Sequence, residues 1–230
     1  MDERLKLLQR AAIDALGPLW GDFAKQGKES AVLAPLARYP NASAWLARSM
    51  GMSSDDITRK IGAMLAGWVR DTKHVGLLFE MLDRERKVFP KDSASANSVG
   101  EDIMFAATRW TQSPIPQIRD AGIQILVSMI MDALNGTHWN SVNWAIGNLN
   151  KVTEGKHAVF HNLANATDAQ MEGQRFLQIA VGALRQKDEQ KLARLATAPS
   201  GLHSLSSDDP HYPMASALWR AAESAEAALM

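Results

Sequence analysis

The chain of 230 residues contains no cysteine, which excludes disulfides, thiolate zinc sites and cysteine nucleophiles. It also lacks an excess of charge of either sign, because 25 Lys and Arg balance 25 Asp and Glu. Residues 1–115 carry 16 basic and 14 acidic side chains, and residues 116–230 carry 9 and 11. Since no segment concentrates positive charge, this balance argues against a dedicated nucleic-acid binder.

Long apolar runs are missing as well. The longest one, near residues 123–131, is too short to cross a bilayer and is bracketed by Asp120 and Asp132. The first six residues interleave charges and lack the apolar core of a secretory signal. We therefore expect a cytoplasmic protein without a membrane partner.

The familiar catalytic signatures are absent too. The sequence has no phosphate-binding P-loop, no G-x-G-x-x-G, no G-x-S-x-G elbow and no H-E-x-x-H. This pattern favours a protein that is not an enzyme and holds no cofactor.

Helical periodicity dominates what is present, and no segment shows the alternation of a strand. Apolar residues make up 46% of the chain, a value typical of globular proteins. The sequence predicts a single all-helical domain over residues 1–230. In it, helices 57–69 and 75–88 form one hairpin, and helices 99–110 and 118–133 form a second. The apolar stripes predict seven buried side chains, namely Ile57, Ile61, Trp68, Ile103, Trp110, Ile125 and Met129.

The segment from Ser113 to Ala121 reads Ser-Pro-Ile-Pro-Gln-Ile-Arg-Asp-Ala. A proline-containing turn, an aliphatic-Arg pair and small residues on the packing face resemble the inter-helix turn of HEAT repeats over about one repeat. The resemblance implies an all-α stack of helical hairpins, and an irregular helical bundle is the alternative.

The segment from Ala133 to Asn150 has no charged side chain, although 22% of the whole chain is charged. It contains five asparagines and two tryptophans, which combine amide hydrogen bonding with aromatic area. The alternative is that both tryptophans belong to the core. We predict a partner-binding surface here, formed by Trp139, Asn140, Asn143, Trp144 and nearby His157.

The same segment resembles a second family. His138 through Asn143 read His-Trp-Asn-Ser-Val-Asn, which is similar to the W-D-x-V-D pattern of HEAT-like alkylpurine DNA glycosylases. Asn140 and Asn143 stand where that pattern has acids, and Asn cannot stabilise an oxocarbenium-like transition state with a carboxylate. The resemblance therefore implies a bound nucleobase or none, and not the family's chemistry. The alternative function that it implies is a glycosylase relative that acts on or binds damaged nucleic acid.

One group of acidic and histidine residues has a spacing that suits a metal-binding site. Glu154, His157 and His161 lie at i, i+3 and i+7, so a helix would place all three on one face. A second E-x-x-H, which di-iron bundles require, is absent from the sequence. Exposed helix histidines are the alternative interpretation, and we predict no bound metal.

The function that these observations favour is non-catalytic recognition of another protein. By analogy with other small helical proteins that lack catalytic residues, this description fits an immunity protein that neutralises a bacterial toxin, or an assembly adaptor. The glycosylase relative is the alternative from a different class.

Overall fold

The computed structural model describes residues 2–17, 29–134 and 205–230. Within these ranges every element of regular structure is helical, so the all-α prediction is confirmed. The eight α-helices are α1 (Glu3–Leu16), α2 (Glu29–Leu33), α3 (Pro40–Gly51), α4 (Asp56–Ala66), α5 (Leu77–Val88), α6 (Ser93–Thr111), α7 (Pro116–Leu134) and α8 (Tyr212–Leu229). Two 3₁₀ helices join them, Ala34–Arg38 and Thr72–His74.

The chain divides into two compact units, Met1–Leu77 with Pro199–Met230, and Leu78–Ala198. The HEAT-like stack and the single domain stay predictions, and the irregular bundle also fits the helices that the structure describes.

The first unit is built on α8, the C-terminal helix. α8 packs along α1 and also against α3, and α3 in turn packs against α4. Small side chains such as Ala12 and Ala222 are fully buried in α1 and α8, which lets helix backbones approach closely. The N- and C-terminal helices thus form one packed layer.

Polar contacts also tie α8 to the rest of this unit. The Glu226 carboxylate accepts hydrogen bonds from the backbone N–H groups of Asn41, at 3.2 Å, and Ala42, at 2.6 Å. It therefore satisfies N–H groups at the start of α3 that no helical carbonyl can reach. The Trp219 indole donates to the Val32 carbonyl at 2.7 Å, so α8 is held at two points.

In the second unit, α6 and α7 pack as the predicted hairpin around the turn that begins at Ser113. Arg86 on α5 donates to Asp132 on α7 at 2.9 Å and to Asp83 at 2.6 Å. Burial lowers the pKa of Arg86, but hydrogen bonds and charge from Asp132 and Asp83 raise it more. The four predicted core residues of this hairpin are buried, namely Ile103, Trp110, Ile125 and Met129.

The predicted pairing of helices 57–69 and 75–88 was wrong, because α4 packs against α3 instead of α5. The α3–α4 and α6–α7 hairpins, which we call hairpin 1 and hairpin 2, share one local design at an offset of 60 residues. In each, a serine hydroxyl accepts from the backbone N–H two residues later, at 3.2 Å. In each, a glycine of the second helix lies against the backbone of the first helix. The matching residues are Ser53 and Ser113, Arg59 and Arg119, and Gly62 and Gly122.

One core prediction was wrong. Ile61 and Trp68 are buried as predicted, but the side chain of Ile57 is 50% exposed. Ile57 lies in the first turn of α4, beside the inter-helix loop, where α3 no longer covers it. The matching residue of hairpin 2 is the exposed Gln117, so this position faces solvent in both hairpins.

Candidate interaction groove on the terminal helices

The surface predicted from sequence lies outside the described residues. This applies to Trp139, Asn140, Asn143, Trp144 and His157, and equally to the metal candidates Glu154 and His161. The partner surface, the absence of a metal and the resemblance to glycosylases therefore all stay predictions.

The described residues contain a different candidate, an open groove of about 390 Å³ between α1 and α8. We call it the terminal groove. It is lined by Arg4, Leu7 and Ala11 from α1 and by Ala217, Arg220, Ala221 and Ser224 from α8.

Helical periodicity places these residues. Arg4, Leu7 and Ala11 follow i, i+3 and i+7, so they form one stripe on α1, beside the buried stripe of Leu8 and Ala12. On α8 the lining residues follow the same spacing beside a buried alanine-rich stripe. The terminal groove therefore runs along the edge of the seam where the two helices pack.

The floor of the terminal groove is mostly apolar and its only charged side chains are cations. Three alanines leave room above the helix backbones, and the Leu7 side chain is 60% exposed. Arg4 is held by Asp2 through hydrogen bonds of 3.3 and 3.1 Å. Arg220 is exposed and makes no ion pair within the described ranges.

Asp2 organises the end of the groove at which α1 begins. Its carboxylate accepts the Arg4 side chain and also the backbone N–H of Arg4 at 2.8 Å, which caps the helix. These hydrogen bonds, the side-chain ones first, hold the pKa of Asp2 below its ordinary value. Arg4 is therefore oriented by Asp2, whereas Arg220 makes no ion pair among the described residues.

The helix that carries Arg220 also contains an aromatic contact between two of its own residues. The Tyr212 and Trp219 rings meet edge to face, with centroids 6.0 Å apart. Both rings belong to α8, so the polar contacts that join α8 to the rest of the unit are those of Trp219 with Val32 and of Glu226 with the start of α3.

The part of the chain that the structure describes has few side chains placed for acid–base catalysis. His211 Nδ1 lies 2.9 Å from Asp209 Oδ1, and the same oxygen accepts the His211 backbone N–H at 2.9 Å. This pairing closes the turn that leads into α8. No group of three or more His, Asp or Glu side chains is placed to hold a metal ion among the described residues.

None of the described helices combines the length and the apolar character needed to cross a membrane. Comparison with protein families, with curated proteins and with solved structures finds no match to this chain.

Sequence reasoning missed the terminal groove because its walls come from opposite ends of the chain. One local signal was available: Leu7 adds a large apolar side chain outside the stripe that Leu8, Ala12 and Ala15 complete. The sequence does not reveal that Arg4 and Arg220 line the same groove, because that requires the packing of α1 on α8.

Proposed function

We propose that this chain is a non-catalytic module that binds another protein, and that the terminal groove receives a helix of that partner. The observation that carries the proposal is the apolar groove whose charged lining residues are two arginines and no acid. An elongated apolar floor between two helices suits the apolar face of an amphipathic helix.

Charge complementarity defines the chemistry of the occupant. Arg220 has no ion pair in the described chain, and Arg guanidinium favours bidentate pairing with carboxylates. The expected occupant therefore carries a Leu or Phe over Leu7 and a Glu or Asp opposite Arg220. A second copy of this chain would bring arginine toward arginine at this groove, which is unfavourable.

The test uses two fluorescent helical peptides of the same apolar pattern, one flanked by Glu and one by Lys. We expect the Glu peptide to bind the full chain more tightly, by roughly two- to fivefold for one exposed charge pair. Truncating Leu7 to Ala should weaken both peptides by about 1 kcal/mol or more, since part of its apolar area is then no longer buried.

Exchanging the charge supplies the control. Arg220→Glu should weaken the Glu peptide and strengthen the Lys peptide, while Lys87→Glu, the same charge reversal at an exposed residue of α5 that does not line the groove, should change neither by much. The thermal midpoint of each variant should match that of the parent chain. The proposal fails if Leu7→Ala leaves the affinity for both peptides unchanged, or if Arg220→Glu does not reverse the preference.

The terminal groove and the surface predicted around Trp139 and Trp144 are independent proposals for how a partner is held. Trp139→Ala and Trp144→Ala should each cost on the order of 2 kcal/mol in partner affinity if they are interface anchors. An immunity protein or an assembly adaptor remains the physiological role that we propose for such a module.

A further inference from the structure

The two arginines that line the terminal groove differ in whether the chain itself neutralises them. Arg4 forms an ion pair with Asp2, through hydrogen bonds of 3.3 Å from Nε and 3.1 Å from Nη2. Arg220 forms no ion pair among the described residues, although Glu223 lies three residues further along the same helix. The groove therefore presents one paired cation and one unpaired cation.

The geometry of the Asp2–Arg4 pair follows from the position of Asp2 just before α1. Asp2 has non-helical backbone angles, φ −55° and ψ 137°, and its carboxylate accepts the Arg4 backbone N–H at 2.8 Å. This cap holds the carboxylate in place, so the Arg4 side chain meets an acceptor whose position is already fixed. Hydrogen bonds from the Arg4 side chain and backbone also hold the pKa of Asp2 below its ordinary 3.8, so the pair is charged at neutral pH.

The other ion pairs of α1 lie outside the terminal groove. They are Glu3–Lys6, at 2.5 Å, and Arg10–Asp14, at 4.0 Å. None of these four residues lines the groove. Among the ion pairs that the described residues of α1 make, only Asp2–Arg4 therefore competes with a ligand in the groove.

We propose that Asp2 is a specificity-determining residue of the terminal groove, which occupies Arg4 so that the groove selects a partner helix with a single acidic residue. Asp2 takes the place of a second acid on that helix, and Arg220 remains available for the first. This inference rests on the function proposed for the groove, because it specifies the partner helix further. An exposed ion pair contributes little free energy, so the selection amounts to a factor of about two to five in affinity.

The test compares a helical peptide of the apolar pattern described above, carrying one Glu, with two versions that carry a second Glu. The second Glu lies four residues before the first in one version and four residues after it in the other, because a helix can lie in the groove in either direction. On the parent chain the second Glu should change the affinity little. On Asp2→Asn, which keeps an N-cap acceptor, one of the two versions should bind about two- to fivefold more tightly than the one-acid peptide.

Asp14→Asn is the matched control. It removes the same charge from the same helix, at an ion pair that does not line the groove. It should leave the relative affinities of the three peptides unchanged. A gain of equal size in Asp14→Asn would show that Asp2 acts only through the net charge of the chain, and the inference would be wrong.

Arg4→Gln separates the release of Arg4 from every other effect of the Asp2 substitution. Adding Arg4→Gln to Asp2→Asn should abolish the gain from the second Glu, because that gain requires the Arg4 guanidinium. A gain that persisted in the double variant would overturn the inference.

The same measurements keep this inference apart from the proposed function. Binding of the one-acid peptide to the parent chain tests the groove, and its absence would overturn both proposals. If the parent chain binds that peptide and Asp2→Asn brings no gain from a second Glu, the groove stands and the role of Asp2 is wrong.

Discussion

Hairpins 1 and 2 are built alike and charged differently. Both place a serine hydroxyl inside the turn and a glycine where the two helices cross. Only hairpin 1 begins its second helix with carboxylates, at Asp55 and Asp56. The geometry of the turn therefore does not require the acidic cap.

Proline explains how hairpin 2 forms its turn without that cap. Pro116 is the first residue of α7, where its fixed backbone angle suits a helix and its missing N–H leaves one donor fewer to satisfy. Hairpin 1 stabilises the same helix start by hydrogen bonding to Asp55. The comparison shows that the two hairpins have the defined turn in common, and that the acidic cap belongs to hairpin 1 alone.

The largest loss of stability should come from truncating matching core residues of the two hairpins. Leu65 and Ile125 are 60 residues apart in the sequence and both are buried. Replacing either by Ala should lower the free energy of unfolding by roughly 2–5 kcal/mol, because a cavity adds to the lost transfer energy. Urea denaturation followed by circular dichroism measures this cost.

Ile57→Ala is the control for that measurement. Its side chain is half exposed, so its loss should cost well under 1 kcal/mol. If Leu65→Ala were costly and Ile125→Ala nearly neutral, the two hairpins would not share a packing scheme.

Much of this fold could be predicted from the sequence, because helix signals are local. The boundaries of α1 and α8 and the interruptions at Pro35 and Pro40 follow from periodicity and from the chemistry of proline. The turn at Ser113 was also predicted. The matching turn at Ser53 was not predicted, because few residues match between the two hairpins.

The candidate sites were harder to predict because they depend on contacts between distant residues. The terminal groove needs residues 4 and 220 to meet, and no local pattern encodes that meeting. The likeness of the two hairpins needs a comparison across 60 residues, although Ser-x₅-Arg-x₂-Gly does occur in both. Ile57 was misplaced because an apolar stripe alone does not show where a neighbouring helix ends.

A smaller loss of stability is expected from adding a side chain where the helices of each hairpin cross. A Cβ added to Gly62 would lie 2.7 Å from Gly51 Cα and 2.9 Å from the Ala47 carbonyl oxygen. A Cβ on Gly122 would lie 2.6 Å from the Ala107 carbonyl oxygen. Since backbone atoms cannot move aside cheaply, Gly62→Ala and Gly122→Ala should each destabilise the protein by about 1–3 kcal/mol.

The matched control for the glycines is Gln124→Ala, an exposed change on α7 that should stay within about 0.5 kcal/mol. Thermal melts of all three variants test the point. Glycine variants as stable as the control would mean that the helices of each hairpin can separate without cost, contrary to a shared close crossing.

The smallest effect is a loss of stability at low pH. The Asp55 cap should cause it in hairpin 1 alone. Hydrogen bonds from the Thr58 side chain and backbone, with a smaller contribution from the charge of Arg59, hold the pKa of Asp55 below its ordinary 3.8. A carboxyl whose pKa is lower in the folded state contributes stability above its unfolded pKa and loses it as pH falls through the folded value. Asp55→Asn keeps an N-cap acceptor and removes the charge, so it isolates this contribution.

The parent chain should therefore exceed Asp55→Asn in stability near pH 7, and the difference should shrink below about pH 4 as Asp55 protonates. Urea midpoints measured across this range test the sign, and a difference that grew on acidification would refute the assignment. Ile115→Asp should bring the same pH dependence to hairpin 2, where the parent chain has no carboxylate at the matching position.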